Sequence, residues 1–302
     1  MIKQKYIDRV RVPSGEKIRL ADYPTSVRDF KDIPELNELD KDELKERAHE
    51  ILRHNLEELA EAQELLWASD VYSVLVVFQA LDAAGKDGTI KHVMSGLNPQ
   101  GCQVFSFKKP SDEELDHNFL WRYMRALPER GRIGIFNRSH YEDVLVVRVH
   151  PELLERAKLP PGKRDKDFWD DRYRDINALE RHLVANGTRI VKFFLNVSRD
   201  EQKRRFLERL EKPEKHWKFS AADLAERGYW DDYMTAYGEA LSATSTKWAP
   251  WYVIPADQKY VSRALVADIL ASAIGDLKLE FPKVGKEQLK FIQEAKKKLE
   301  NE

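Results

Sequence analysis

The sequence predicts an α/β fold with a parallel sheet, and three observations predict it. Five runs, at 74–78 (VLVVF), 101–107 (GCQVFSF), 132–138 (RIGIFNR), 189–197 (RIVKFFLNV) and 251–256 (WYVIPA), read as strands, and the fourth is near-continuously apolar, as a doubly covered parallel strand should be. Helix-patterned stretches separate them, which suits right-handed parallel crossovers. The first run passes through a small-residue turn ending in Gly85 and Lys86 and then into a helical stretch reaching Val93. In such sheets the site lies beyond the carboxyl ends of the strands, an edge that Lys86 and Arg138 would share.

In chain order, residues 1–40 carry Pro13, Pro24 and Pro34 and predict an extended arm on the main domain. Leu44, Ala48, Ile51, Leu52, Leu56, Leu59 and Leu66 recur at helical spacing, giving one long amphipathic helix from Lys41 to about Trp67. After the second strand, Ser111 with Glu114 forms a capping box that opens a helix running to about Ala126. Pro151, Pro160, Pro161 and Gly162 mark a surface loop over 151–166, and a helix follows from about Asp167 to Asn186, with Gly187 placed to end it. Ser198 and Glu201 read as another capping box, opening a helix that carries Lys203, Arg204, Arg205 and Arg209.

The stretch from Lys212 to about Gly238 mixes charges with Trp217, Tyr229, Trp230, Tyr233 and Tyr237 and reads as a helical hairpin over the site. An apolar-periodic helix from about Tyr260 to Leu277 follows the last strand, and Pro282 separates it from a charged helix at 286–299. With no internal repeat or low-complexity linker, the reading is one domain with a lid at about 205–238, an N-terminal arm and helix before it and a C-terminal helix after it.

A composition of 42% hydrophobic and 34% charged residues is that of a soluble globular protein. The net charge of −1 excludes a chain-wide affinity for nucleic acid or membranes, so any anion site must be a local cluster. The single cysteine, Cys102, rules out an intrachain disulfide and reads as a packed thiol in or beside a strand. No signal-type apolar segment opens the chain, and nowhere do eighteen apolar residues run together; a cytoplasmic location is expected.

The chemistry is concentrated in the turn. Small residues let backbone N–H groups face an anion, and the following helix N-terminus adds a favourable dipole. Ala83, Ala84, Gly85, Asp87, Gly88 and Thr89 would form the cradle, Lys86 would bring a compact positive charge onto phosphates, and Asp82 a carboxylate able to hold Mg²⁺. The pattern departs from G-x-x-x-x-G-K-[ST]: Ala80 stands for the first Gly and Asp87 for the hydroxyl residue, so a metal would lean on Asp82. Phosphoryl transfer also needs cations converging on the transferred group, for which Arg138, Arg204, Arg205 and Arg209 are candidates; Arg209 reads equally as a solvated helix residue.

The loop Asp82-Ala83-Ala84-Gly85-Lys86-Asp87-Gly88 resembles the D-A-A-G-K-x-G of the polyphosphate kinase 2 family. Similar segments follow in order at 133–149, 193–210, 214–220 and 244–257, covering most of residues 70–270. The resemblance implies a three-layer P-loop kinase fold of the thymidylate-kinase type with a helical lid. It also implies phosphoryl transfer from inorganic polyphosphate to nucleotides, with Mg²⁺ as cofactor and Mn²⁺ as its alternative. Adenine or guanine nucleotides are the implied partners, and a homo-oligomer, tetramer or dimer, the implied assembly.

In that family the strand end F-[DN]-R-S puts an Asp or Asn beside the metal and the Arg on phosphates, which here are Asn137 and Arg138. Asn137 followed by His140, Tyr141, Glu142 and Asp143 matches the subgroup implied to phosphorylate both AMP and ADP. Lys215, Trp217 and Lys218 fall in the family's lid, where two lysines flanking an indole suit a polyanion and a stacked base; Trp217 reads equally as lid packing. An ATP-dependent nucleoside or nucleotide kinase of the same fold, and a non-catalytic nucleotide or polyanion sensor, are the alternatives.

Overall fold

The computed structural model describes residues 2–31, 33 and 38–302. Five strands form one parallel sheet in the order β2-β3-β1-β4-β5: β1 (Ser73–Gln79), β2 (Cys102–Ser106), β3 (Ile133–Asn137), β4 (Thr188–Asn196) and β5 (Trp251–Pro255). β1 sits at the centre and is buried along its whole length, because helices cover both faces of the sheet. Its side chains alternate between two cores: Val74, Val76 and Phe78 join one cluster, Leu75 and Val77 the other.

The principal helices are α1 (Gln4–Val10), α2 (Lys41–Ser69), α3 (Lys86–Val93), α4 (Lys166–Ala185), α5 (Arg199–Glu211), α6 (Trp230–Thr244), α7 (Lys259–Gly275) and α8 (Lys286–Glu300). α2 starts in a capping box the sequence reading overlooked: the Asp40 carboxylate accepts from the Asp42 and Glu43 amides, and the Glu43 carboxylate accepts from the Asp40 amide. It packs with α7 over one face of the sheet, while α4 and α6 supply the other core. Gly187, at φ +89°, reverses the chain after α4, where only a residue without Cβ turns at little cost.

Four expectations need correction. The N-terminal arm is partly helical, since Ile7 and Val10 bury one face of α1; Pro34 lies outside the described residues. The arm does lie on the sheet, where the Val12 amide donates to the Trp251 carbonyl at 2.9 Å and Arg11 bridges Tyr252 antiparallel. The helix drawn from Ser111 to Ala126 is two short ones, Asp112–Leu115 and Trp121–Met124, because the Asn118 side chain accepts from the Leu120 amide and diverts the backbone between them. The loop at 151–166 contains the helix Glu152–Arg156. At Ser198 only half the box forms: its hydroxyl accepts from the Glu201 amide, but Glu201 is drawn to Arg204 and Arg205, and the Ser198 amide donates to Asp257 instead.

No helix among the described residues is long and apolar enough to cross a membrane.

Candidate active site

The turn between β1 and α3 has an unusual backbone with a visible cause. Ala83 and Gly85 both take left-handed conformations, at φ +60° and +105°. Arg205 holds the turn from behind: one terminal nitrogen donates to the carbonyls of Ala83 (3.1 Å) and Ala84 (2.6 Å), the other to those of Ala256 (2.5 Å) and Asp257 (3.3 Å), and Nε to Glu201 (2.7 Å). Gln202 takes the Asp82 carbonyl at 3.0 Å. Because a planar peptide points C=O and the next N–H in opposite directions, carbonyls drawn towards α5 turn the following amides away from it. Arg205 therefore shapes the cradle, and its donors are already used; the expectation that it contacts phosphate directly does not match this geometry.

Lys86 opens α3, and its ammonium donates to the Ala80 carbonyl at 2.7 Å. Burial holds its pKa below the usual lysine value, and the charge of Arg138 lowers it further, against the pull of Asp82. Arg138 leaves β3 at φ +64°, a conformation costing about 1–3 kcal/mol for a residue with a side chain. Its amide still donates to the Phe78 carbonyl, and its guanidinium bridges Asp82 (3.0 Å) and Glu142 (3.4 Å). Burial raises the pKa of Glu142, while Arg138 and Lys86 oppose that shift. Asp82, Lys86, Arg138 and Glu142 thus form one compact group of alternating charge.

Asn137 stands beside this group. Its amide nitrogen donates to Asp87 at 2.8 Å and to the Ser106 hydroxyl at 3.3 Å, so the amide oxygen is the atom left to accept a metal or a donor. Thr89 is buried one turn into α3, and Gly88 faces Arg263.

Lid residues Asp223, Glu226, Arg227, Trp230, Tyr233 and Tyr237 close a cavity of about 40 Å³ over Asp82, Arg138 and Glu142. Arg209 reaches this wall through Asp223, at 3.5 Å. Arg204, Lys215, Trp217 and Lys218 do not line it. Arg204 pairs with Glu201, Lys215 with Glu208, and Trp217 is 78% exposed with the Lys218 ammonium 4.9 Å above its ring. Trp217 is therefore not lid packing.

A second cavity, of about 250 Å³, meets the first at Arg138 and Glu142. Phe107, Val146, Val147 and Leu154 give it apolar walls, and Lys108, Lys109 and Arg122 give it cations. Asp143 lies on its side, accepting from Tyr123 and pairing with Arg172 at 3.6 Å; burial raises its carboxyl to about 6.

Beneath the turn that carries Arg138 and Glu142 lies a buried polar hub. Lys192, fully enclosed in β4, donates to Glu180 (2.6 Å), the Tyr141 hydroxyl (2.9 Å) and the Thr244 carbonyl at the end of α6 (2.8 Å). Tyr141 in turn donates to Glu180 at 2.7 Å. Burial alone would raise the Glu180 pKa, but Lys192 and His140 hold it below the usual range. The hub joins the sheet, α4, the lid-bearing helix and the turn at 139–144. A lone lysine inside RIVKFFLNV was the signal for it, since an unpaired charge is almost never enclosed. Asp223 and Gln202 gave no comparable signal; they stand on ordinary helical patterns.

Residues 38–282 match the family model for polyphosphate kinase 2. A Rhodopseudomonas palustris protein named ADP-polyphosphate phosphotransferase is 54% identical over 290 residues, 96% of each chain. A Meiothermus ruber AMP/ADP-polyphosphate phosphotransferase is 48% identical over 232 residues, 77% of this chain and 82% of that one. The crystal structure of polyphosphate kinase 2 from Arthrobacter aurescens TC1 superimposes with a TM-score of 0.76 at 39% identity, covering 94% of this chain and all of that one.

Proposed function

Because the chain belongs to the polyphosphate kinase 2 family, we propose that it moves the terminal phosphoryl group of inorganic polyphosphate onto AMP and ADP, giving ADP and ATP, in a reversible reaction. The observation that carries this reading is the position of Arg138 and Glu142 on the wall shared by two cavities, one against the phosphate loop and one with an apolar and cationic lining. A donor held by the loop amides and Lys86 would meet an acceptor held in the second cavity, with Arg138 between them to neutralise charge on the transferred group. Lys108 and Lys109 suit the acceptor's phosphates, and Phe107 and Leu154 its base.

The oxygen donors present fit a hard divalent cation. Asp82 and the free amide oxygen of Asn137, beside Asp87, would hold Mg²⁺ or Mn²⁺ together with substrate phosphates. Such an ion supplies charge neutralisation along the phosphates when bound. Asp82 is the carboxylate that now occupies Arg138, so engaging it elsewhere would free a guanidinium for the phosphoryl oxygens. Guanine nucleotides as partners, a cytoplasmic location, a single domain with its lid and a tetrameric or dimeric homo-oligomer belong to the same proposal.

The relatives' names divide on the acceptor, ADP for one and AMP or ADP for the other. A time course with AMP, excess polyphosphate and Mg²⁺, with no ATP added, is expected to yield ADP and then ATP. ADP without ATP would limit the acceptor to monophosphates, and no nucleotide product from either AMP or ADP would refute the reading.

Asn137→Asp is expected to narrow that range. The new carboxylate would stand where the amide now donates to Asp87 at 2.8 Å, and two like charges ~4 Å apart cost about 4 kcal/mol at an effective dielectric of 20. The variant should need less Mg²⁺, since a carboxylate binds the cation more tightly than an amide oxygen, and shift the ratio of kcat/KM for AMP and ADP by about tenfold; an unchanged ratio would remove Asn137 from acceptor choice.

A further inference from the structure

We infer that Arg263 and Lys259 form a distal subsite for the donor, engaging polyphosphate units beyond those held in the phosphate loop. This rests on the functional reading above. Arg263 stands against the first turn of α3, where a Cβ built on Gly88 would lie 3.6 Å from its guanidinium, so an anion leaving the loop past Gly88 meets Arg263 next. Among the described residues the Arg263 side chain has no ion pair or hydrogen bond, and its Nε is buried without a partner. Lys259 is one turn away on the same side of α7, its ammonium also without an ion pair or hydrogen bond among the described residues, and like charges at that spacing repel.

Nearby charges sharpen this imbalance. Burial depresses the pKa values of Lys259 and Arg263, and Arg205, a third cation beside them, lowers both further; its own donors are committed to Glu201 and backbone carbonyls. Glu201 and Glu208 act on Lys259, but each already serves other cations, and among the described residues no carboxylate contributes at Arg263. Protein side chains thus leave positive charge over at the edge of the loop. A repeating polyanion would balance it, whereas a donor that ends in a neutral base and ribose would not.

The test compares donors of different length. Binding of tripolyphosphate and of a long-chain polyphosphate is measured by calorimetry without nucleotide, for the wild type and for Arg263→Gln with Lys259→Gln. The expected result is about a tenfold weaker long-chain affinity, a several-fold smaller loss for tripolyphosphate, and a shallower salt dependence. Arg263→Lys, which keeps the charge, should retain most of the affinity and guards against a folding defect in the double variant. Equal losses for both donors, or long-chain affinity within twofold of wild type, would overturn the subsite. Either outcome leaves the functional reading standing if the wild type still phosphorylates nucleotides from polyphosphate.

Discussion

Replacing Lys86 by Met is expected to lower kcat by a hundredfold to a thousandfold while the protein stays folded. Among the described residues the Lys86 ammonium makes one hydrogen bond, to the Ala80 carbonyl, and it feels the charges of Asp82 and Glu142. Methionine keeps the stem's packing and removes the charge. A preorganised cation of this kind is typically worth ~3–4 kcal/mol of barrier, which is that range in rate. The check is kcat beside a thermal melt; activity within tenfold of wild type in a folded variant would place the phosphates elsewhere.

The second large effect is on stability. Lys192→Met would leave Glu180 enclosed with Tyr141 and His140 and no cation, and breaking a buried pair from one side costs about 3–5 kcal/mol. In a chain of 302 residues that corresponds to a fall in Tm of roughly 5–8 °C. Adding Glu180→Gln removes the stranded charge, and most of the loss should return. Activity should recover less than stability, because the Lys192 contact with the Thr244 carbonyl, which ties the lid-bearing helix to the sheet, stays missing. Thermal denaturation of the single and double variants, with kcat measured on each, distinguishes these terms. A single variant within about 1 kcal/mol of wild type would contradict the hub.

The strands and their parallel sense could be read from the sequence because they follow from local signals, whereas the order β2-β3-β1-β4-β5 is set by tertiary pairing and was not read. Apolar runs set the strands, and Gly85 and Gly187 mark where the chain must turn. The loop and Arg138 were visible for the same reason: each directly follows a strand, so one-dimensional position translates into the carboxyl edge of the sheet. Lid geometry did not translate. Arg204, Arg205 and Arg209 are spaced within two turns of one helix, and only their angular positions send Arg204 to solvent, Arg205 behind the loop and Arg209 to Asp223. Trp217 looked like a platform or a plug because an indole is usually covered, yet it lies open on a short 3-10 segment. The hub escaped because its members, Tyr141, Glu180, Lys192 and Thr244, come from four elements that only tertiary packing brings together.

Direct transfer between the two cavities is tested most plainly by following the phosphorus. With polyphosphate labelled in its phosphoryl groups and unlabelled ADP as acceptor, label should appear in the terminal phosphate of ATP, in step with shortening of the chain and without accumulating as inorganic phosphate. Label released as inorganic phosphate, or ATP formed without it, would contradict a donor in the loop facing an acceptor across Arg138.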